Sequence, residues 1–182
     1  EPSLAALRWA GSVAAARNVP LRVVGAWQYP AAAGGPWGPN ALPAAEELDA
    51  SAKAALERSV SEQLGPDATA TIAVGRGPAA SVLLASARDQ HASMLVLGAR
   101  GLDGFDGVLL GSVTQRCVEH APCPVVVLRD GVDAAAPPRK VVVGVDGSEP
   151  ADRALHLAMS LVGSDGEVVA VHAHDGEDVL DR

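Results

Sequence analysis

The tightest constraint on this chain is the stretch from Met94 to Glu119. Met94-Leu95-Val96-Leu97 is a short apolar run without polar alternation, which reads as a buried strand. It breaks at Gly98, and glycines recur at 101, 104, 107 and 111. Gly111-Ser112 then opens Val113-Thr114-Gln115-Arg116-Cys117-Val118-Glu119, a short helical stretch that Ser112 is placed to N-cap. A strand, a glycine-rich loop and a helix N-terminus together suit an anion. Glycines let the backbone approach closely, and first-turn N–H groups have no partner inside the helix. A triphosphate is the natural guest.

The rest of the chain alternates helices and strands. Pro2, Leu4, Leu7 and Val13 predict a helix over about 2 to 17, with Trp9 as a core anchor against a sheet. Leu21 to Trp27 reads as a strand. Residues 28 to 43 hold Pro30, Gly34, Gly35, Pro36, Gly38, Pro39 and Pro43, a composition that supports neither helix nor ladder. This long loop is either a lid carrying Trp37 or a plain connection. Helical spacing from Glu46 to Leu64 ends at Gly65-Pro66, and Ala68 to Val74 alternates as a strand nearer the sheet edge. Gly75-Arg76-Gly77-Pro78 reads as a turn into a helix reaching about Gln90, with Arg76 either solvated or facing a phosphate. After the glycine loop and helix 112–120 comes a strand, Val125 to Leu128. Arg129 to Pro138, rich in alanine and proline, is the natural domain boundary.

Beyond that linker the pattern starts again, with a strand at 140–145, a helix at 150–162 and a strand at 167–173. Glu149-Pro150-Ala151-Asp152-Arg153-Ala154-Leu155-His156-Leu157-Ala158 is a near copy of Glu1-Pro2-Ser3-Leu4-Ala5-Ala6-Leu7-Arg8-Trp9-Ala10. The later copy follows Val141 to Ser148, for which the first has no counterpart. The expectation is a tandem repeat cut at both ends: residues 1–130 as a domain lacking its first strand, 131–138 as linker, and 139–182 as the start of a second domain. Alternating strands and helices without hairpin signals predict an α/β fold, an open parallel sheet with helices on both faces. Ligands in such sheets bind beyond the carboxyl ends of the strands.

The spacing Gly98-x2-Gly101-x9-Gly111-Ser112 resembles the nucleotide-binding motif of the universal stress protein family. Val141-Val142-Val143-Gly144-Val145-Asp146-Gly147-Ser148 resembles that family's opening strand and turn, and Ala121-Pro122-Cys123-Pro124-Val125-Val126-Val127-Leu128 its closing strand. The resemblance implies an adenine nucleotide alpha hydrolase-like fold with five strands per complete domain, and ATP as ligand, with Mg²⁺. It implies that Ala26 reads the adenine edge through its backbone. Gly98 and Gly101 would admit the ribose and phosphates, while Gly111, Ser112 and Val113 would meet the β- and γ-phosphates. Asp146 would contact adenine or ribose, and it belongs to the second copy. For it to meet Gly98, strand 140–145 would have to fill the place of the first domain's missing strand.

Composition narrows the alternatives. A net charge of −8 argues against a nucleic-acid or anionic-membrane partner, and no apolar run is long enough to span a bilayer. No secretory signal is evident at the start, so the cytoplasm is the expected compartment. Cys117 and Cys123 do not make a disulfide framework, and with His120 they lack a fourth ligand at zinc spacing. His172 and His174 alternate along a strand and face opposite sides. His91 reads as a solvent-facing helix end. Asp103 and Asp106 would repel a bare phosphate and stay outside the site. No catalytic constellation is evident, so no metal ligand or catalytic residue is assigned. The leading reading is an ATP-binding sensor whose nucleotide state tunes conformation or association, as a homodimer or a pseudo-dimer of repeats. The alternatives are a nucleotide-free dimerising module that pairs through strand 124–128, and a slow ATPase.

Overall fold

The computed structural model describes residues 2–29, 42–99, 110–129, 138–162 and 164–172. Two compact units emerge, Glu1–Ala135 and Ala136–Arg182.

In the first unit, α1 (Pro2–Arg17) leads to β1 (Leu21–Trp27), α2 (Ala45–Leu64) and β2 (Ala70–Arg76). Then follow α3 (Ala79–Asp89), β3 (Leu95–Gly98), α4 (Ser112–His120) and β4 (Val125–Leu128). The buried face of α1 is Ala5, Ala6, Trp9 and Val13, with Leu4 and Leu7 half-buried at its margins. Small alanines bring the helix close to the sheet, and Trp9 is buried there as the expected core anchor. The helix closes at Asn18 in the left-handed region, φ 50°. There Val19 N–H donates to Ala14 O at 3.0 Å and Asn18 N–H to Ala15 O at 3.2 Å, which satisfies the last carbonyls. His91 closes α3 the same way, at φ 47° and exposed to solvent.

The strands pair in parallel, β1 with β2 and β3 with β4, with Ala26 opposite Gly75, Trp27 opposite Arg76 and Gly98 opposite Leu128. The expected parallel α/β architecture is present, with the strands hydrogen-bonded as pairs. Helix α1 packs on β1, β3 and β4, and α2 on β1 and β2. Helix α3 packs on β1 and β2 and also against α4. The core of this layer is Ala80, Leu84, Leu97 and the fully buried Cys117, packed round by Leu83, Leu95, Val113, Ala121 and Val125. Each large apolar side chain buried there is worth about 1.5–3 kcal/mol.

Strand β2 runs two residues later than the expected 68–74. Gly75 lies inside it because α3 crosses there: a Cβ at Gly75 would sit 2.4 Å from Val82 Cγ1. The chain turns one residue after Arg76, at Gly77, whose φ of +124° suits glycine.

In the second unit, β5 (Lys140–Gly144) leads through α5 (Glu149–Val162) to β6 (Glu167–Val171), and the two strands pair in parallel with Val142 opposite Val169. Val143 and Ala158 are buried between β5 and α5, while Val142, on the other face of the strand, is 64% exposed.

Candidate functional site

The described part of the glycine-loop site is built where β3 ends and α4 begins. Ala99 N–H donates to Leu128 O at 2.7 Å, carrying the parallel ladder past Gly98. Gly111 N–H donates to Ala99 O at 2.7 Å, so the loop's last residue returns to the strand it left. The hydroxyl of Thr114, in the first turn of α4, donates to Gly98 O at 2.8 Å. Thr114 is buried, and this bond is what lets a polar side chain stay there. Gly98, Gly111 and Ser112 are thereby held together at the carboxyl end of the β3–β4 pair.

Ser112 is the first residue of α4, and the N-cap is Gly111, extended at φ −68° and ψ 155°. This corrects the expectation that Ser112 caps the helix. A glycine cap brings no side chain to cover the first-turn N–H groups, and that turn contains no acidic residue. The helix dipole and amides therefore meet an anion without competition. Ser112 is exposed, with its hydroxyl available to a ligand, whereas Val113 packs into the core and offers only its backbone. Gly101 lies outside the described residues, as do Arg100, Asp103, Asp106, Trp37 and the rest of 30–41, His174, and linker residues 130–137.

Ala26 sits in β1, next to the last residue. Gly77 N–H donates to Trp27 O at 2.8 Å, so the Trp27 carbonyl faces β2. Neighbouring residues of a strand direct their backbone groups to opposite edges. The N–H and C=O of Ala26 therefore turn to the edge of β1 away from β2.

The same strand ends carry a side-chain cluster that sequence reasoning missed. Trp27 Nε1 donates to Asp49 Oδ1 at 2.7 Å, and Arg76 donates to both oxygens of Asp49, Nη2 to Oδ2 at 2.5 Å. Glu46 adds a second carboxylate 3.7 Å from Arg76, whose guanidinium lies 5.7 Å from the Trp27 ring centroid. The Arg76 guanidinium, then the Trp27 indole N–H, hold the Asp49 carboxyl below its ordinary range. Tyr29 meets Trp27 edge-on at 5.2 Å and donates its hydroxyl to Pro43 O at 2.8 Å. Arg76 is solvent-exposed, as one of the expectations had it, but it ends β2 rather than sitting in the turn, and it is bound to the acidic start of α2.

Asp146 belongs to the second unit, beyond the end of β5. Its Oδ1 accepts from Ser148 N–H at 2.9 Å, and Ser148 Oγ in turn accepts from Ala151 N–H at 3.3 Å, capping α5. The Ser148 hydroxyl, then its backbone N–H, lower the Asp146 pKa. His172 Nδ1 lies 2.7 Å from Val145 O beside this turn. With a serine cap in place and Glu149 and Asp152 in its first turn, α5 is a poor anion site, in contrast to α4. Among the described residues, no group of three or more His, Cys, Asp or Glu is placed to hold a metal ion, and no helix is long and apolar enough to cross a membrane.

Comparison with known proteins agrees with this architecture. The model of the universal stress protein family matches residues 1–129 and 138–181. Universal stress protein Rv2005c of Mycobacterium tuberculosis is 30% identical over 186 residues, covering 97% of this chain and 62% of that protein. Universal stress protein Rv1996 of the same organism is 40% identical over 87 residues, 47% of this chain and 27% of that protein. The chain spans less than two thirds of the length of these relatives. Among solved structures, universal stress protein UspA from Lactobacillus plantarum superposes with a TM-score of 0.53 at 26% identity, covering 69% of this chain and 88% of that one. A universal stress protein from Archaeoglobus fulgidus superposes with a TM-score of 0.63 at 22% identity over 98% of this chain and 64% of that one, a likeness of fold. With a family match over both units and parallel α/β layers in the structure, the chain belongs to the universal stress protein family.

Proposed function

We propose that this chain is an ATP-binding regulator, acting in the cytoplasm, whose nucleotide state tunes its conformation or its association as a homodimer or repeat pseudo-dimer. The observation that carries the reading is the N-terminus of α4: a glycine cap, no acid in the first turn, and a Thr114–Gly98 tether that fixes it beyond the end of β3. In this reading Gly98, Gly101, Gly111, Ser112 and the Val113 N–H receive the phosphates of Mg²⁺–ATP, and the Ala26 backbone reads adenine. The proposal includes Asp146, whose carboxylate would meet the ribose side of the nucleotide. A ligand with different affinity for two states shifts their populations, which is all a regulator requires.

Titration calorimetry of this chain with Mg²⁺–ATP tests the reading, with Ser112→Ala and Asp146→Ala alongside. Saturable binding weakened by both variants supports it in full. Binding indifferent to Asp146 removes that residue from the site and keeps the glycine loop. No binding to a folded, monodisperse sample favours the second reading, a nucleotide-free pairing module using the outer edge of β4, which in the described residues pairs only with β3. Phosphate release above the Ser112→Ala background would support a slow ATPase.

A further inference from the structure

The Asp49 cluster lies one residue from the backbone groups of Ala26, and nothing in the proposed site yet uses it. Strand ends fray, because their last residues have no following ladder to hold them. Here the last paired residues of β1 and β2, Trp27 and Arg76, are both bound by one carboxylate from a different element. Trp27 is fixed at its indole by Asp49 and at its carbonyl by Gly77 N–H. With Trp27 held at both points, the adjoining Ala26 peptide is fixed in the orientation that turns its N–H and C=O to the edge of β1 away from β2. The carboxylate also keeps Arg76 on the α2 side of the sheet end, with Glu46 as a further acid beside it.

We infer that Asp49 is a positioning residue for base recognition: it bolts Trp27 and Arg76 together so that the Ala26 backbone presents a fixed donor and acceptor to an adenine edge. This rests on the nucleotide-binding reading and assigns it a residue that contacts no part of the phosphate site. The phosphates meet α4 on another strand pair, so the two halves of the ligand report separately.

The test is calorimetry on the full chain with two probes, Mg²⁺–ATP and inorganic tripolyphosphate, for wild type, Asp49→Ala and Asp49→Asn. Asp49→Ala is expected to weaken ATP about tenfold, the scale of one charge-assisted hydrogen bond, and to leave tripolyphosphate unchanged. Asp49→Asn keeps an oxygen for the Trp27 indole and should recover part of the loss. This rescue also covers the case in which Asp49→Ala does not fold. Equal ATP affinity in wild type and the folded variants overturns the inference while leaving the nucleotide reading intact, as does a parallel loss of both probes. A wild type that binds neither probe overturns the nucleotide reading, and the inference falls with it.

Discussion

The hydroxyl of Thr114 reaches back across 16 residues to the carbonyl of Gly98, and this 2.8 Å bond joins the first turn of α4 to the end of β3. It closes the base of the glycine loop from the protein side, independently of any ligand. Thr114→Val preserves shape but removes the donor, leaving the Gly98 carbonyl without this partner. The expected cost is about 1–3 kcal/mol in urea unfolding, with Thr114→Ser milder because it keeps the hydroxyl. Equal stability of wild type and Thr114→Val would mean that the Gly98 carbonyl finds another donor.

Gly75 makes a second, purely steric prediction. A methyl there meets Val82 Cγ1 at 2.4 Å, and a β-branched side chain in a helix has little rotamer freedom to move aside. Gly75→Ala should destabilise the first unit by about 1–3 kcal/mol through overpacking. Adding Val82→Ala should return part of that loss, and strict additivity in the double-mutant cycle would contradict the contact.

Legibility in the sequence followed the range of the interactions. Helix α4 and strands β1 and β4 fall where periodicity and punctuation predict them, because each is defined by neighbours within a few residues. The end of β3 at Gly98 and the start of α4 at Ser112 are legible for the same reason, their signals being local. Two local signals misled: Gly75 read as a turn when it is a contact, and Ser112 read as a cap when Gly111 takes that place. The Trp27–Asp49–Arg76 cluster left no mark in the sequence. Its members lie 22 and 27 residues apart, and only the β1–β2 register and the seating of α2 bring them together.

That cluster also sets a pH dependence. Arg76, and then Trp27, hold the Asp49 carboxyl below its ordinary pKa in the folded chain. A depressed carboxyl stabilises the fold above the unfolded pKa, and the contribution is lost as pH falls through the lower folded value. Emission from Trp27, followed in a Trp37→Phe background against a Trp27→Phe blank, should therefore stay level from neutrality to about pH 4 and change only below it. A transition centred above the ordinary carboxylate range would contradict the ion pair.

Ser148 links the cap of α5 to the charge of Asp146, and one substitution separates the two. Its Oγ accepts from Ala151 N–H, so Ser148→Ala should cost α5 about 1 kcal/mol of cap stability, visible as faster amide exchange in the first turn. The same hydroxyl is the leading cause of the lowered Asp146 pKa, with the Ser148 backbone N–H second. Removing it should raise the Asp146 pKa toward the ordinary aspartate value without fully restoring it, since the backbone donor remains at 2.9 Å. Carboxyl-carbon NMR titration reads this directly. The sign follows from linkage: the stability Asp146 contributes is present above the unfolded pKa and disappears as pH falls, and the variant should lose it at higher pH than wild type. An unchanged Asp146 titration in Ser148→Ala would show that the backbone turn alone holds the carboxylate, and that the serine serves only the helix.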